Sequence, residues 1–326
     1  MLGKRGARIE TGWQIAGYRA IVMENAVLRV VMLPDKGMDI VELLYKPRDV
    51  DFTASTPWGL SPPDSGNFLD RYEGGFQIIF PNGGLPSEYR GAPLGQHDEV
   101  ALSAWEWHSH EDRHGVQVVA TLALRKTPFA YQRVVRLAPD SPHLYCEDKV
   151  INRSPFDQAA MWGQHLAFGP PFLAPSCRLA TGARAVLVVD EPLAPRRFKP
   201  GRYAWPWVEG VDGRVWDLRN VPPPDGTHDM AYLTEFAEPW YTLENPDLGV
   251  GVRVSWDNSV WPQCWVWQEG GADGYPWYGR HYSLGLEPFC GYPTHGLDAA
   301  IRNGSALKLP GGAEIVGRLD IVAYGV

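Results

Sequence analysis

Apolar and polar residues alternate with period two again and again along this chain, and no window of a dozen residues carries a capped 3.6-residue period. Val116, Val118, Ala120, Leu122 and Leu124 fall on one face of an extended segment, with Gln117 and Thr121 on the other. That is the pattern of a half-buried antiparallel strand. Near the C-terminus Ile315, Leu319, Ile321 and Ala323 oppose Glu314, Arg318 and Asp320 in the same way. Val27–Leu33 runs apolar into Pro34-Asp35-Lys36-Gly37, a strand entering a turn, and Met38–Leu44 resumes. Residues 105–108 and 116–124 flank Glu111–Gly115, which reads as a hairpin loop, and Gly249–Trp256 and Gln263–Trp267 are further strands. The 35 glycines and 29 prolines are spread along the chain as turn punctuation. Together these features predict an all-β chain with few, short helices, arranged as a large two-sheet sandwich. No repeat is visible. The richest loop, Val221–Gly226, reads as a crossing loop rather than a linker, so residues 1–326 are expected to form one domain.

Composition narrows the partners. A formal net charge of −8 with no basic run disfavours nucleic acid. No apolar run approaches a membrane span, and Met1–Glu10 is charged rather than leader-like, so a cytoplasmic protein is expected. Cys146, Cys177, Cys264 and Cys290 form no C-x-x-C and read as free, mostly buried thiols of a reducing compartment, with two disulfides as the alternative. There is no G-x-G-x-x-G ahead of a helix and no P-loop.

Four segments carry chemistry. Glu73–Gly84 places glycine pairs at both ends of an apolar strand, a device for close backbone approach; alone it is a strand with two turns. Gly95–Glu99 puts His97 between a glycine-rich loop and a strand. Met161–Phe168 embeds His165 among apolar and aromatic residues, where an imidazole must bond or titrate. Tyr282–Pro288 ends an apolar strand on Glu287, where desolvation would lift the carboxyl toward the range of a general base.

Taken in order, these segments resemble the aldose 1-epimerase family, the galactose mutarotase-like proteins, from about Trp13 to Tyr324. The resemblance is carried by Ala26–Gly37, His97 with Trp105, His165 with Phe168, His228–Tyr232, Leu286-Glu287-Pro288, Asp298-Ala299 and the strand after Pro310-Gly311-Gly312. It implies a β-supersandwich and a mutarotase that interconverts the α and β anomers of a free sugar. It also implies roles: Glu287 as the base on the anomeric hydroxyl, His165 as the acid on the ring oxygen, His97 as a second histidine at the ring oxygen, and Asp229 as a hydroxyl acceptor. Gln164 stands where the family often has asparagine, and Arg71 is matched to an early-loop arginine; both are expected to bind substrate. Asp98 replaces a usual glycine, which points to a divergent branch.

Ring opening needs one proton removed and another delivered, so a carboxyl and an imidazole suffice and no metal or nucleotide is called for. The expected partner is a small carbohydrate bound by a monomer or homodimer. Trp162, Trp261, Trp265 and Trp267 lie near the relevant strands as stacking faces or as core. No arginine occurs from Asp98 to His110, which favours a neutral or uronate-type sugar over a sugar phosphate. Two alternatives stay open: a non-catalytic carbohydrate-binding protein, given 14 tryptophans, and a metal-dependent cupin-like isomerase using His108 and His110.

Overall fold

The computed structural model describes residues 6–63 and 66–326; the charged N-terminal segment singled out above lies partly outside them. Among the described residues the chain builds two large antiparallel sheets, one of 12 strands and one of 8. Among the described residues the only α-helices are Phe68–Arg71 and Leu297–Asn303. The all-β expectation holds, and its cause is the alternation itself. In strand Gly115–Ala123, Val116, Val118 and Ala120 are buried in the core between the sheets. One loop is shorter than expected. The strand before it runs on through Asp112, whose Oδ1 accepts the His114 N–H at 2.7 Å, leaving a two-residue turn before Gly115.

Both sheets contribute to one continuous apolar core. Val118, Val135, Leu144, Val252, Leu319 and Ile321 of the smaller sheet meet Ile78, Leu166, Val266, Leu284 and Leu286 of the larger. Trp162 and Trp261 belong to this core, edge to face at 4.9 Å, and so are not stacking surfaces. All four cysteines are free and buried.

The opposite face of the larger sheet matters for function. Five of its strands lie side by side: Phe76–Ile79, Trp162–Phe168, Tyr282–Cys290, Gln263–Gly270 and His228–Thr234. Because side chains alternate, residues with apolar neighbours pointing into the core point outward here. A second apolar cluster, including Phe68, Tyr72, Met230, Trp265, Trp267, Trp277 and Phe289, builds on this outward face. No helix among the described residues is long and apolar enough to cross a membrane.

Candidate active site

Strand register sets out the site as rows. Gln77 pairs with His165, His165 lies opposite Glu287, Glu287 pairs with Trp265, and Trp265 with Tyr232. The next row runs Ala167, Gly285, Trp267, Met230. The third holds Ser283, Glu269 and His228. Small residues open the floor between the large ones. A Cβ on Gly285 would lie 2.6 Å from Glu287 Oε1, so the glycine is what lets the carboxyl lie flat there.

Over these rows sits a cavity of about 370 Å³. His165, Glu287, Trp265, Trp267, His228 and Met230 line its floor. Phe68, Leu69 and Tyr72 close one side, and residues 84–85, 96–97, 192–194, 272, 274–277 and Thr294 make the rest. Among the described residues no lysine or arginine lines it. The wall at residues 84–85 depends on the glycine pair noted in the sequence. Gly84 has a φ of +77°, and a Cβ there would fall 1.9 Å from the Thr294 carbonyl oxygen.

At the bottom, His165 Nε2 is 3.5 Å from Glu287 Oε1. Both residues are almost fully buried, and among the described residues Glu287 Oε2 and His165 Nδ1 have no hydrogen-bond partner. Burial therefore pushes the Glu287 carboxyl well above the usual carboxylate range and pulls the His165 imidazole down to about 4, with Lys36 adding to the latter. His97 joins them, its ring 5.6 Å from that of His165. Its Nδ1 accepts the Gly84 N–H at 3.1 Å, which leaves the proton on Nε2, and burial holds it neutral.

Three expected binding residues lie elsewhere. Gln164 follows Gly163 and precedes His165 on one strand, so it points the other way, into the core. There its Oε1 accepts from Arg133 Nη2 at 2.5 Å and its Nε2 donates to Asp148 Oδ2 at 2.7 Å. Asp229 is turned away from the cavity by the same alternation. Its Oδ1 accepts the backbone N–H of Arg197 at 2.6 Å and of Phe198 at 3.2 Å, tying down the neighbouring loop. Arg71 ends its one-turn helix facing away from the cavity and donates to the Leu102 carbonyl at 3.1 Å. Sequence reasoning missed His228, Tyr72 and Trp277. His228 was recoverable, since it shares a strand face with Met230 and Tyr232.

His108 and His110 stand exposed on the outermost strand, Glu106–Asp112. Among the described residues no group of three or more His, Cys, Asp or Glu is placed to hold a metal ion.

Several solved structures share the fold. A galactose mutarotase-like protein from Clostridium acetobutylicum superposes with a TM-score of 0.74 at 15% identity, over 99% of this chain and 100% of that one. A candidate aldose 1-epimerase from Klebsiella pneumoniae gives 0.75 at 13%, over 97% and 83%. The Slr1438 protein of Synechocystis sp. PCC 6803 gives 0.69 at 17%, over 94% and 96%. At such identities the likeness is one of fold. No curated protein matches the chain. A family model described as a domain of unknown function, DUF4432, matches residues 15–322, nearly the whole length, and the chain therefore belongs to the DUF4432 family.

Proposed function

We propose that this protein is a sugar isomerase that opens and recloses the hemiacetal of a free sugar, exchanging its α and β anomers. The observation that carries this reading is the carboxyl–imidazole pair at 3.5 Å on the floor of an aromatic-walled cavity. Buried without other charged partners, the pair rests with its one shared proton on the Glu287 carboxyl. Transfer of that proton to His165 Nε2 gives a carboxylate and an imidazolium. Glu287 then takes the proton of the anomeric hydroxyl, whose O–H electrons form the aldehyde C=O. The C1–O5 bond breaks, and its electron pair takes up the proton from His165. Rotation about C1–C2 and the reverse transfers close the other anomer. Each of the two groups supplies roughly 10²–10⁴-fold. His97, with its proton on Nε2, is suited to donate to a ring or hydroxyl oxygen.

The lining supports an uncharged sugar. A phosphate or carboxylate in this cavity would meet no lysine or arginine among the described residues and would lie beside a carboxyl. The indole of Trp267, which lines the cavity, offers a surface for sugar C–H groups.

The test is anomer-exchange NMR on a panel of free aldoses, with phosphates and uronates alongside. The wild-type chain is expected to equilibrate a neutral sugar, and Glu287→Gln to lose at least about 10²-fold while remaining folded. Undiminished exchange in that variant would remove Glu287 from the reaction. Tight sugar binding without exchange by the wild type would favour the non-catalytic binding protein.

A further inference from the structure

One fully buried carboxylate ties the floor of the cavity to the loop at its mouth. Glu269 is the penultimate residue of the strand Gln263–Gly270. Its Oε1 accepts the backbone N–H of Gly271 at 2.9 Å and of Ala272 at 2.6 Å, the start of the loop that carries Tyr275 and Trp277. Its Oε2 lies 3.6 Å from Nδ1 of His228, directly opposite on the next strand. His228 Nε2 in turn accepts the indole N–H of Trp267 at 2.7 Å. A neutral imidazole that accepts at Nε2 carries its proton on Nδ1, so the indole hydrogen-bonds the imidazole, and the Nδ1–H faces the carboxylate at 3.6 Å as an electrostatic contact rather than a hydrogen bond. Trp267 packs against Gly285 beside the reacting pair, 5.7 Å from the His165 ring and 5.4 Å from Trp277.

We infer that Glu269 and His228 are positioning residues that set the plane of Trp267, the surface on which the substrate's C–H face rests, and couple that plane to the loop. The identity of the resting ligand depends on the sugar reading above; the chain of contacts does not. Its direction makes it intolerant of an added proton. A protonated Glu269 turns a donor toward Nδ1–H. If the imidazole moves its proton to Nε2, that proton meets the indole N–H. Burial lifts Glu269 to about 7 and lowers His228 to about 4, so the carboxyl is the member that titrates near neutrality. The other titratable groups nearby are His281, stacked on Trp277 at 4.9 Å, and the Arg197–Asp225 pair against Gly270 on the reverse of the strand.

Glu269→Gln separates this role from simple loop anchoring. The amide oxygen still accepts from Gly271 and Ala272, but the amide nitrogen then faces Nδ1–H. His228→Phe deletes the relay, whereas His228→Gln can accept from the indole and donate to the carboxylate.

The experiment follows the 14 indole N–H signals of the full chain by ¹H–¹⁵N NMR, with Trp267 assigned through Trp267→Phe. The Trp267 signal is expected to be protected from solvent exchange. It should lose about tenfold protection in Glu269→Gln and in His228→Phe and keep most of it in His228→Gln, while the other signals report an intact fold. For any aldose the wild type equilibrates, Glu269→Gln should raise KM by about tenfold with kcat within about threefold, and wild-type KM should rise as pH falls through about 7. A Trp267 signal indifferent to both variants would overturn the chain. A released indole with unchanged KM would overturn its part in holding substrate. If no aldose is equilibrated, the proposed activity falls, and the indole measurement alone decides the chain.

Discussion

Glu287 and His165 owe their protonation to burial more than to each other. An ordinary histidine titrates near 6.5, but the His165 imidazole is drawn down to about 4, and the Glu287 carboxyl is raised by the same desolvation. Above about pH 4 the single proton the pair exchanges therefore rests on the raised carboxyl rather than on the imidazole. Below that, His165 gains a second proton and can no longer exchange places with Glu287. The expected kcat profile for anomer exchange falls on its acid side only near pH 4, while the KM change set by Glu269 is read separately. A fall centred near 6.5 would mean an imidazole in open water and would count against the buried pair. The carboxyl's position is set with equal economy. Gly285→Ala places a methyl 2.6 Å from Glu287 Oε1 and 3.2 Å from Trp267. Displacing a reacting group by about 1 Å costs on the order of 10²-fold. Gly285→Ala is therefore expected to cut kcat by about that factor while costing roughly 1–3 kcal/mol of stability by overpacking. Urea unfolding and anomer-exchange rates on the same preparation check both numbers.

Elements, rather than single residues, decide access. The loop 271–281 is held at its start by Glu269 and at its tip by Tyr275, whose hydroxyl donates to Asp70 Oδ1 at 2.5 Å. Asp70 is itself fixed in the capping box of the helix Phe68–Arg71, so the bond bridges two walls of the cavity. Both partners are exposed, so Tyr275→Phe should cost less than about 1 kcal/mol overall, yet speed hydrogen exchange of loop amides roughly fivefold. Unchanged exchange would show that the loop is seated without this tether. The strands beneath were legible because alternation names an element and a buried face at once. What alternation left undecided was which face, core or cavity, each strand turns toward the site. Gln164 and His165 are neighbours on one strand, as are His228 and Asp229, and one member of each pair has to turn away. The resemblance admitted both members of the first pair and the wrong member of the second. Arg71 failed for another reason: on a four-residue helix, neither periodicity nor glycine spacing determines direction. The long-range closure of the loops 192–194 and 272–277 over the floor left no local pattern to read.

Across the whole molecule, the turned-away residues do work of their own. Gln164 in the larger sheet meets Arg133 and Asp148 of the smaller one, a polar bridge sealed inside the apolar core directly behind His165. Arg133 holds Asp148 through both carboxylate oxygens, each at 2.8 Å, and the three side chains are at most 3% exposed. Such an ion pair contributes little net stability against an apolar replacement, but breaking it leaves a buried charge without a partner. Arg133→Met is therefore expected to destabilise the chain by about 3–5 kcal/mol. Arg133→Met combined with Asp148→Leu should recover most of that loss, because the unpaired charge goes with its partner. Urea unfolding of the two variants measures the difference, and anomer exchange adds a second readout. Gln164 sits one residue from His165, so loss of the bridge frees the strand that sets the imidazole against Glu287. If the double variant regains stability but not activity, the bridge holds the catalytic register. If it regains both, the bridge is a feature of the sandwich alone, and register pairing within the larger sheet suffices to place the site.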